Sequence, residues 1–248
     1  IIGLIAAYSY NKFSETNLPM ALSFFSGKRL VPIMTAFFCT ILAIILLLIW
    51  PPVYNGIVTF GKWIVGMGPF GALLYGFFNR LLIPTGLHHA LNNVFWFDTA
   101  GINDIGKFQS GKNAIKGITG RYQAGFFPVM MFGVPAAALA MYHTAKTNQK
   151  KQVYAWFLAS SVSAFFVGVT EPIEFAFMFV APVLFVIHAV LTGLSLFIAA
   201  MFHWTAGFSF SAGLIDYVLS LVNPISNQPW MLLLQGVVFF IIYYVIFR

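Results

Sequence analysis

The stretch VPIMTAFFCTILAIILLLIW, residues 31–50, runs for 20 residues without a charged side chain. As a helix it would extend about 30 Å, the thickness of a bilayer's hydrocarbon core. It reads as a membrane-crossing helix. Trp50 stands where interfacial tryptophan is favoured, and Pro51–Pro52 are expected to end the span. The chain's one cysteine, Cys39, lies inside this run. It can form no internal disulfide, has no metal-ligand partner at a suitable spacing, and reads as a small apolar residue.

The rest of the sequence has the same character. Of 248 residues, 60% are hydrophobic and 8% charged, with a mean hydropathy of +0.88. A soluble domain is about 25% charged, so a water-soluble globular enzyme is excluded. A β-barrel would show short segments of alternating polarity, whereas these apolar runs are long and unbroken. The fold class is therefore an all-α polytopic membrane protein. The net charge of +7, from 13 Lys and Arg against 6 Asp and Glu, fits basic loops beside a membrane. No basic stripe or recognition module accompanies it, which argues against nucleic acid.

Along the chain, residues 1–10 read as the end of a helix. The chain begins within an apolar run and without Met, so a segment of a longer protein is expected. Residues 56–83 carry glycines that suggest a broken helix leading into a second one. Residues 83–97, IPTGLHHALNNVFWF, are too short and too polar to cross a bilayer and read as a re-entrant hairpin, a device tolerated where it lines a cavity. A polar stretch follows at 98–123. Residues 124–142 form an apolar segment expected to be kinked by Pro128, Gly133 and Pro135, and a basic loop covers 143–151. Apolar runs at 153–169, 176–202 and 230–247 complete the chain, with an irregular glycine- and serine-rich segment from 203. Loops 98–123 and 143–151 are both basic yet flank one apolar segment, so orientation is left open.

Ionisable groups at membrane depth are costly and mark candidate functional sites. In GVTEPIEF, residues 168–175, Pro172 suits a first helical turn. A helix is expected to start there, with Glu171 at its cap and Thr170 beside it. A helix start inside a membrane protein offers N–H groups and a positive dipole end to a ligand. Glu171 is read as accepting hydrogen bonds from ligand hydroxyls, and Glu174 as a cap. In GLHHALNN, His88 and Asn92 lie four residues apart on one helical face, where His88 can donate or accept. Arg80 is either a snorkelling or a ligand-facing residue. Asp216 is a further candidate without an evident partner. His188 and His203 read as structural. No metal-ligand spacing, phosphate loop, nucleophile elbow or dinucleotide fingerprint is present, so neither a metal nor a cofactor is expected.

LIPTGLHHALNNVFWF, AGFFPVMMFGVPAAALAMYHTAK, GVTEPIEFAFMFVAPVLFVIHAVLTG and FSFSAGLIDY together resemble the sugar permease, component IIC, of the bacterial phosphoenolpyruvate-dependent phosphotransferase system. The glucose branch is the match, over essentially the whole chain. WFDTAGINDIGKFQSGKNA and GRYQAGFFPVMMFG look most like N-acetylglucosamine permeases within it. The resemblance implies a scaffold part, the rest of which would be residues 1–78 with a connecting helix. Residues 79–248 would be mainly a mobile transport part, with re-entrant segments near 84–97 and 160–175. It implies uptake of N-acetylglucosamine by alternating access, with glucose, or more distantly maltose, as alternatives. The sugar's C6 hydroxyl would be presented to a phosphocysteine on a separate IIB domain and leave as the 6-phosphate, so the chain would be a phosphotransferase only with that partner. Such permeases are homodimers in the bacterial plasma membrane. Carried onto this sequence, the binding residues are His88, Arg80, Asn92, Thr170 and Glu171, with Glu171 or His88 as the base. The family unit is longer at its N-terminus, and Cys39 is in the wrong context for a phosphocysteine. An ion-coupled secondary sugar transporter is the reading from a different class.

Overall fold

A computed structural model describes residues 1–146 and 150–248, and the side chains of all of these except Ala100 and Gln152. Part of the expected basic loop, residues 147–149, lies outside the described residues. Most of the described residues are helical, and among them there is a single isolated β-bridge, between Thr205 and Asn227. Among the described residues, four helical segments are long and apolar enough to cross a membrane: Gly27–Val65, Arg121–Thr144, Pro182–Met201 and Trp230–Phe247. The chain divides into two compact units, Ile1–Gly56 and Ile57–Arg248.

The first unit holds α1 (Ile2–Phe13), two 3-10 turns (Met20–Phe25 and Gly27–Arg29) and the start of α2 (Leu30–Val65). The Phe38 ring meets Tyr8 edge-on at 6.2 Å and lies 6.3 Å from Phe13. Leu47 and Leu48 are 73% and 75% exposed, which suits a surface facing hydrocarbon and not water. The expectation that Pro51–Pro52 end the span is overturned, because α2 continues through both to Val65. The two prolines remove two backbone donors. Leaving the helix there would expose further N–H and C=O groups with no water to satisfy them, so continuing is the smaller loss.

The second unit begins with the last turns of α2. At Gly68, where φ is +61°, the chain turns into α3 (Pro69–Leu81), matching the expected break. A 3-10 turn (Ile83–Thr85) leads to α4 (His88–Trp96), which is only about 13 Å long and too short to cross a membrane. α5 (Asp104–Ser110) precedes α6 (Arg121–Thr144), whose expected irregularity takes the form of a wide π turn at Val129–Gly133. α7 (Lys150–Val167) ends at Gly168, where φ is +81°. The short α8 (Glu171–Val180) follows. The apolar run 176–202, which by its length reads as one long helix, is divided in two. Ala181 leaves the helical region (φ −144°, ψ 76°), and α9 (Pro182–Met201) starts afresh. Proline disfavours the α conformation in the residue before it. α10 (Leu214–Leu221) and α11 (Trp230–Phe247) complete the fold.

Candidate functional site

The site begins with a close crossing of α3 and α9. A Cβ on Gly76 would lie 3.1 Å from the Gly193 Cα, and one on Gly193 would lie 2.7 Å from the Leu73 carbonyl oxygen. Small residues at this crossing let the two backbones touch, the usual way helices pack in an apolar medium. This brings Arg80, in the last turn of α3, toward α9 and the start of α8.

There the buried groups pair. Arg80 Nη1 donates to Glu174 Oε1 at 2.9 Å and makes a longer contact, 3.4 Å, with Thr170 Oγ1. His188 Nε2 meets the same Glu174 oxygen at 3.0 Å, and His188 Nδ1 meets the Tyr243 hydroxyl at 2.8 Å. Glu174, His188 and Tyr243 are fully buried, and Arg80 is 4% exposed. The Phe126 ring lies 4.9 Å from the guanidinium carbon. A carboxylate in such a place needs a cation and hydrogen bonds to remain charged, and Arg80 and His188 provide them.

Beside this network is a cavity of about 420 Å³, within the usual range of small-molecule sites, about 300–1,000 Å³. Arg80, His88, Asn92, Glu171, Trp96 and Ser209 are among its lining residues. Asn92 Oδ1 accepts from the Tyr75 hydroxyl at 2.8 Å and from Asn79 Nδ2 at 2.5 Å. Those bonds hold the amide in place while Nδ2 forms none among the described residues. His88 Nδ1 is buried without a partner among the described residues. Glu171 is exposed, and its Oε2 accepts only the Thr170 backbone N–H, at 3.1 Å, among the described residues. The wall therefore keeps donors and acceptors in reserve, next to the apolar face of Trp96.

The Ser209–Ser211 loop also lines the cavity. Asp216 accepts the backbone N–H groups of Ser209 (2.9 Å) and Ser211 (3.3 Å), and Gln123 Oε1 accepts that of Phe208 at 3.0 Å. Gln123 is fixed in turn by Asp104 Oδ2 at 3.0 Å, while Asp104 Oδ1 takes the Gly120 N–H at 2.8 Å. Burial pushes the Asp104 carboxyl above the usual range, and the bonds from Gln123 and Gly120 oppose it.

His88, Arg80, Asn92 and Glu171 thus line one cavity, while Thr170 is buried behind it against Arg80. α8 starts one residue earlier than expected, with Glu171 inside its first turn. Glu174 is not a cap. Its side chain points inward as the counter-ion of Arg80, and the snorkelling alternative for Arg80 falls with it. Asp216 does have partners, as a loop anchor. His203 is structural, meeting the Gly117 carbonyl through Nδ1 at 3.1 Å. Sequence reasoning misses His188 and Tyr243 as members of the charged network. The available signal is charge balance, since an arginine at membrane depth requires a buried counter-ion and Glu174 lies in an apolar run.

Residues 1–193 match the family described as "Phosphotransferase system, EIIC". The chain is 51% identical over 247 residues to a Bacillus subtilis (strain 168) protein named PTS system N-acetylglucosamine-specific EIICB component, aligning over all of this chain and 54% of that protein. It is 50% identical over 257 residues to the PTS system N-acetylglucosamine-specific EIICBA component of Escherichia coli (strain K12), covering all of this chain and 39% of that one. A Staphylococcus saprophyticus protein named PTS system glucose-specific EIICBA component is 45% identical over 259 residues, covering all of this chain and 38% of its own length. The chain spans about half the length, or less, of these relatives.

Proposed function

The chain belongs to the phosphotransferase system EIIC family, and from that premise we propose that it takes up N-acetylglucosamine and couples uptake to phosphorylation. The observation that carries the reading is the cavity wall. An uncharged carbohydrate needs several hydrogen-bond donors and acceptors plus an apolar face, and His88, Asn92, Glu171 and Trp96 provide them around one space. The names of the relatives that are about 50% identical support N-acetylglucosamine. The glucose-specific relative supports glucose as the second reading.

In the proposed reaction the sugar's C6 hydroxyl oxygen attacks the phosphorus of a phosphocysteine on a IIB domain. The P–S bond breaks, the thiolate leaves, and the hydroxyl proton passes to Glu171, with His88 as the competing acceptor. Phosphoryl transfer asks mainly for positioning and charge stabilisation, and Arg80 and Asn92 serve the first. The EIICB and EIICBA names of the relatives support a IIB partner outside the described residues. Residues 84–97, which include α4, and residues 160–175, which take in the end of α7 and the start of α8, are the proposed re-entrant segments. Residues 79–248 form the transport part of this reading, and residues 1–78 belong to a scaffold that pairs two copies in the bacterial plasma membrane.

Uptake of labelled N-acetylglucosamine and glucose into vesicles, with and without a phosphorylated IIB donor, tests this. Donor-dependent accumulation of N-acetylglucosamine 6-phosphate is the expected result. Faster uptake of glucose would overturn the sugar assignment, and uptake driven by an ion gradient without the donor would overturn the mechanism.

A further inference from the structure

We propose that Glu174, backed by His188 and Tyr243, is a positioning residue that sets the guanidinium of Arg80 against the sugar cavity. The inference rests on the sugar-binding reading above and adds to it residues that do not touch the cavity. Arg80 lines the cavity, but Glu174, His188 and Tyr243 do not. The four side chains come from four helices, α3, α8, α9 and α11, and form one line of bonds: Tyr243 hydroxyl to His188 (2.8 Å), His188 to Glu174 (3.0 Å), Glu174 to Arg80 (2.9 Å).

The protonation pattern follows from the partners. A carboxylate only accepts, so His188 Nε2 carries the proton toward Glu174, while Nδ1 meets the Tyr243 hydroxyl. The charge of Glu174 is matched by the permanent charge of Arg80. This balance matters for an uncharged ligand. An uncompensated guanidinium at the cavity edge would favour an anion or tightly held water. Paired with Glu174, it keeps its donors but not its net field. The Phe126 ring 4.9 Å from the guanidinium carbon further restricts its plane.

Stability alone does not explain the network. A buried ion pair is commonly replaceable by apolar side chains of similar size at no loss of stability. Glu174 also lies one helical turn from Glu171 on α8. The Arg80–Glu174 bond therefore ties the end of α3, just ahead of the His88 segment, to the helix that presents Glu171. Both halves of the cavity wall take their spacing from it.

The test measures equilibrium binding of N-acetylglucosamine to the full-length protein in membrane vesicles. Glu174→Gln should weaken binding about tenfold, and Glu174→Asp should recover part of the loss. Arg80→Met combined with Glu174→Met removes both charges and should fold, yet bind as weakly as Glu174→Gln. Wild-type affinity in that double variant would overturn the inference and the positioning role of Arg80, and would leave sugar binding to His88, Asn92 and Glu171. A second pair guards against misfolding of the Glu174 variants. His188→Leu should weaken binding, whereas His188→Gln, which keeps a donor to Glu174, should restore most of it. Equal affinities for the two His188 variants would overturn the inference. A wild-type protein that binds neither N-acetylglucosamine nor glucose would instead refute the sugar reading, and this inference with it.

Discussion

Glu171 and Glu174 stand three residues apart on one short helix, yet they belong to two different regions. Glu171 is exposed on the cavity wall, with the Thr170 N–H as its partner. Glu174 is fully buried behind the wall and bonded to Arg80 and His188. The wall holds groups with hydrogen-bonding capacity to spare, such as Glu171 and the unpartnered His88 Nδ1. The interior pairs its charges with one another through Arg80 Nη1 and Glu174 Oε1, although Arg80 Nε and Glu174 Oε2 are buried without partners among the described residues. The same side chain can thus offer itself to a ligand or fix the frame around it, and what the fold packs around it decides which.

The largest expected effect lies in the interior. Glu174→Leu leaves Arg80 as an uncompensated buried charge and should cost about 3–5 kcal/mol of stability. Thermal unfolding in detergent measures this, and an unchanged midpoint would erase the distinction between the two regions. On the wall, Glu171→Gln should lower phosphorylation-coupled uptake about 100-fold, the scale of a lost general base, with the protein still reaching the membrane. Near-normal uptake would move the base assignment to His88. Next is the helix packing that supports both regions. A Cβ on Gly125 would collide with the Leu196 backbone, so Gly125→Ala should cost about 1–3 kcal/mol. The same unfolding assay would show it, and a stabilised variant would mean that Gly125 of α6 does not lie against Leu196 of α9. The smallest effect is the control. Asp98 is exposed and makes no side-chain bond among the described residues, so Asp98→Asn should stay within about 0.5 kcal/mol of the parent. A larger shift would extend the structural network beyond the buried groups.

The candidate site is partly legible in the amino-acid sequence. An acid, an imidazole and an amide in interrupted apolar segments stand out because each is expensive in lipid, and His88, Asn92 and Glu171 do line one cavity. Pairing is not legible there. Glu174 resembles a cap because it follows a helix start, and a cap and a buried counter-ion differ only in the direction the side chain takes. Tyr243 is one aromatic among 29 Phe, 10 Tyr and 6 Trp, with nothing in its neighbourhood to mark it.

The prolines draw the same line. Composition and uninterrupted apolar length determined that the chain is helical and suited to a membrane, because those quantities are sums over many residues and tolerate local error. Where helices stop was decided by the tertiary structure. Trp50–Pro51 stays helical, and Ala181–Pro182 breaks. The local penalty before a proline is similar in both, so the outcome turns on what surrounds each backbone. The identity of Arg80's partner was settled in the same way. Glu174 lies 94 residues from Arg80 along the chain, and only the packing of both α3 and α8 against α9 makes them neighbours.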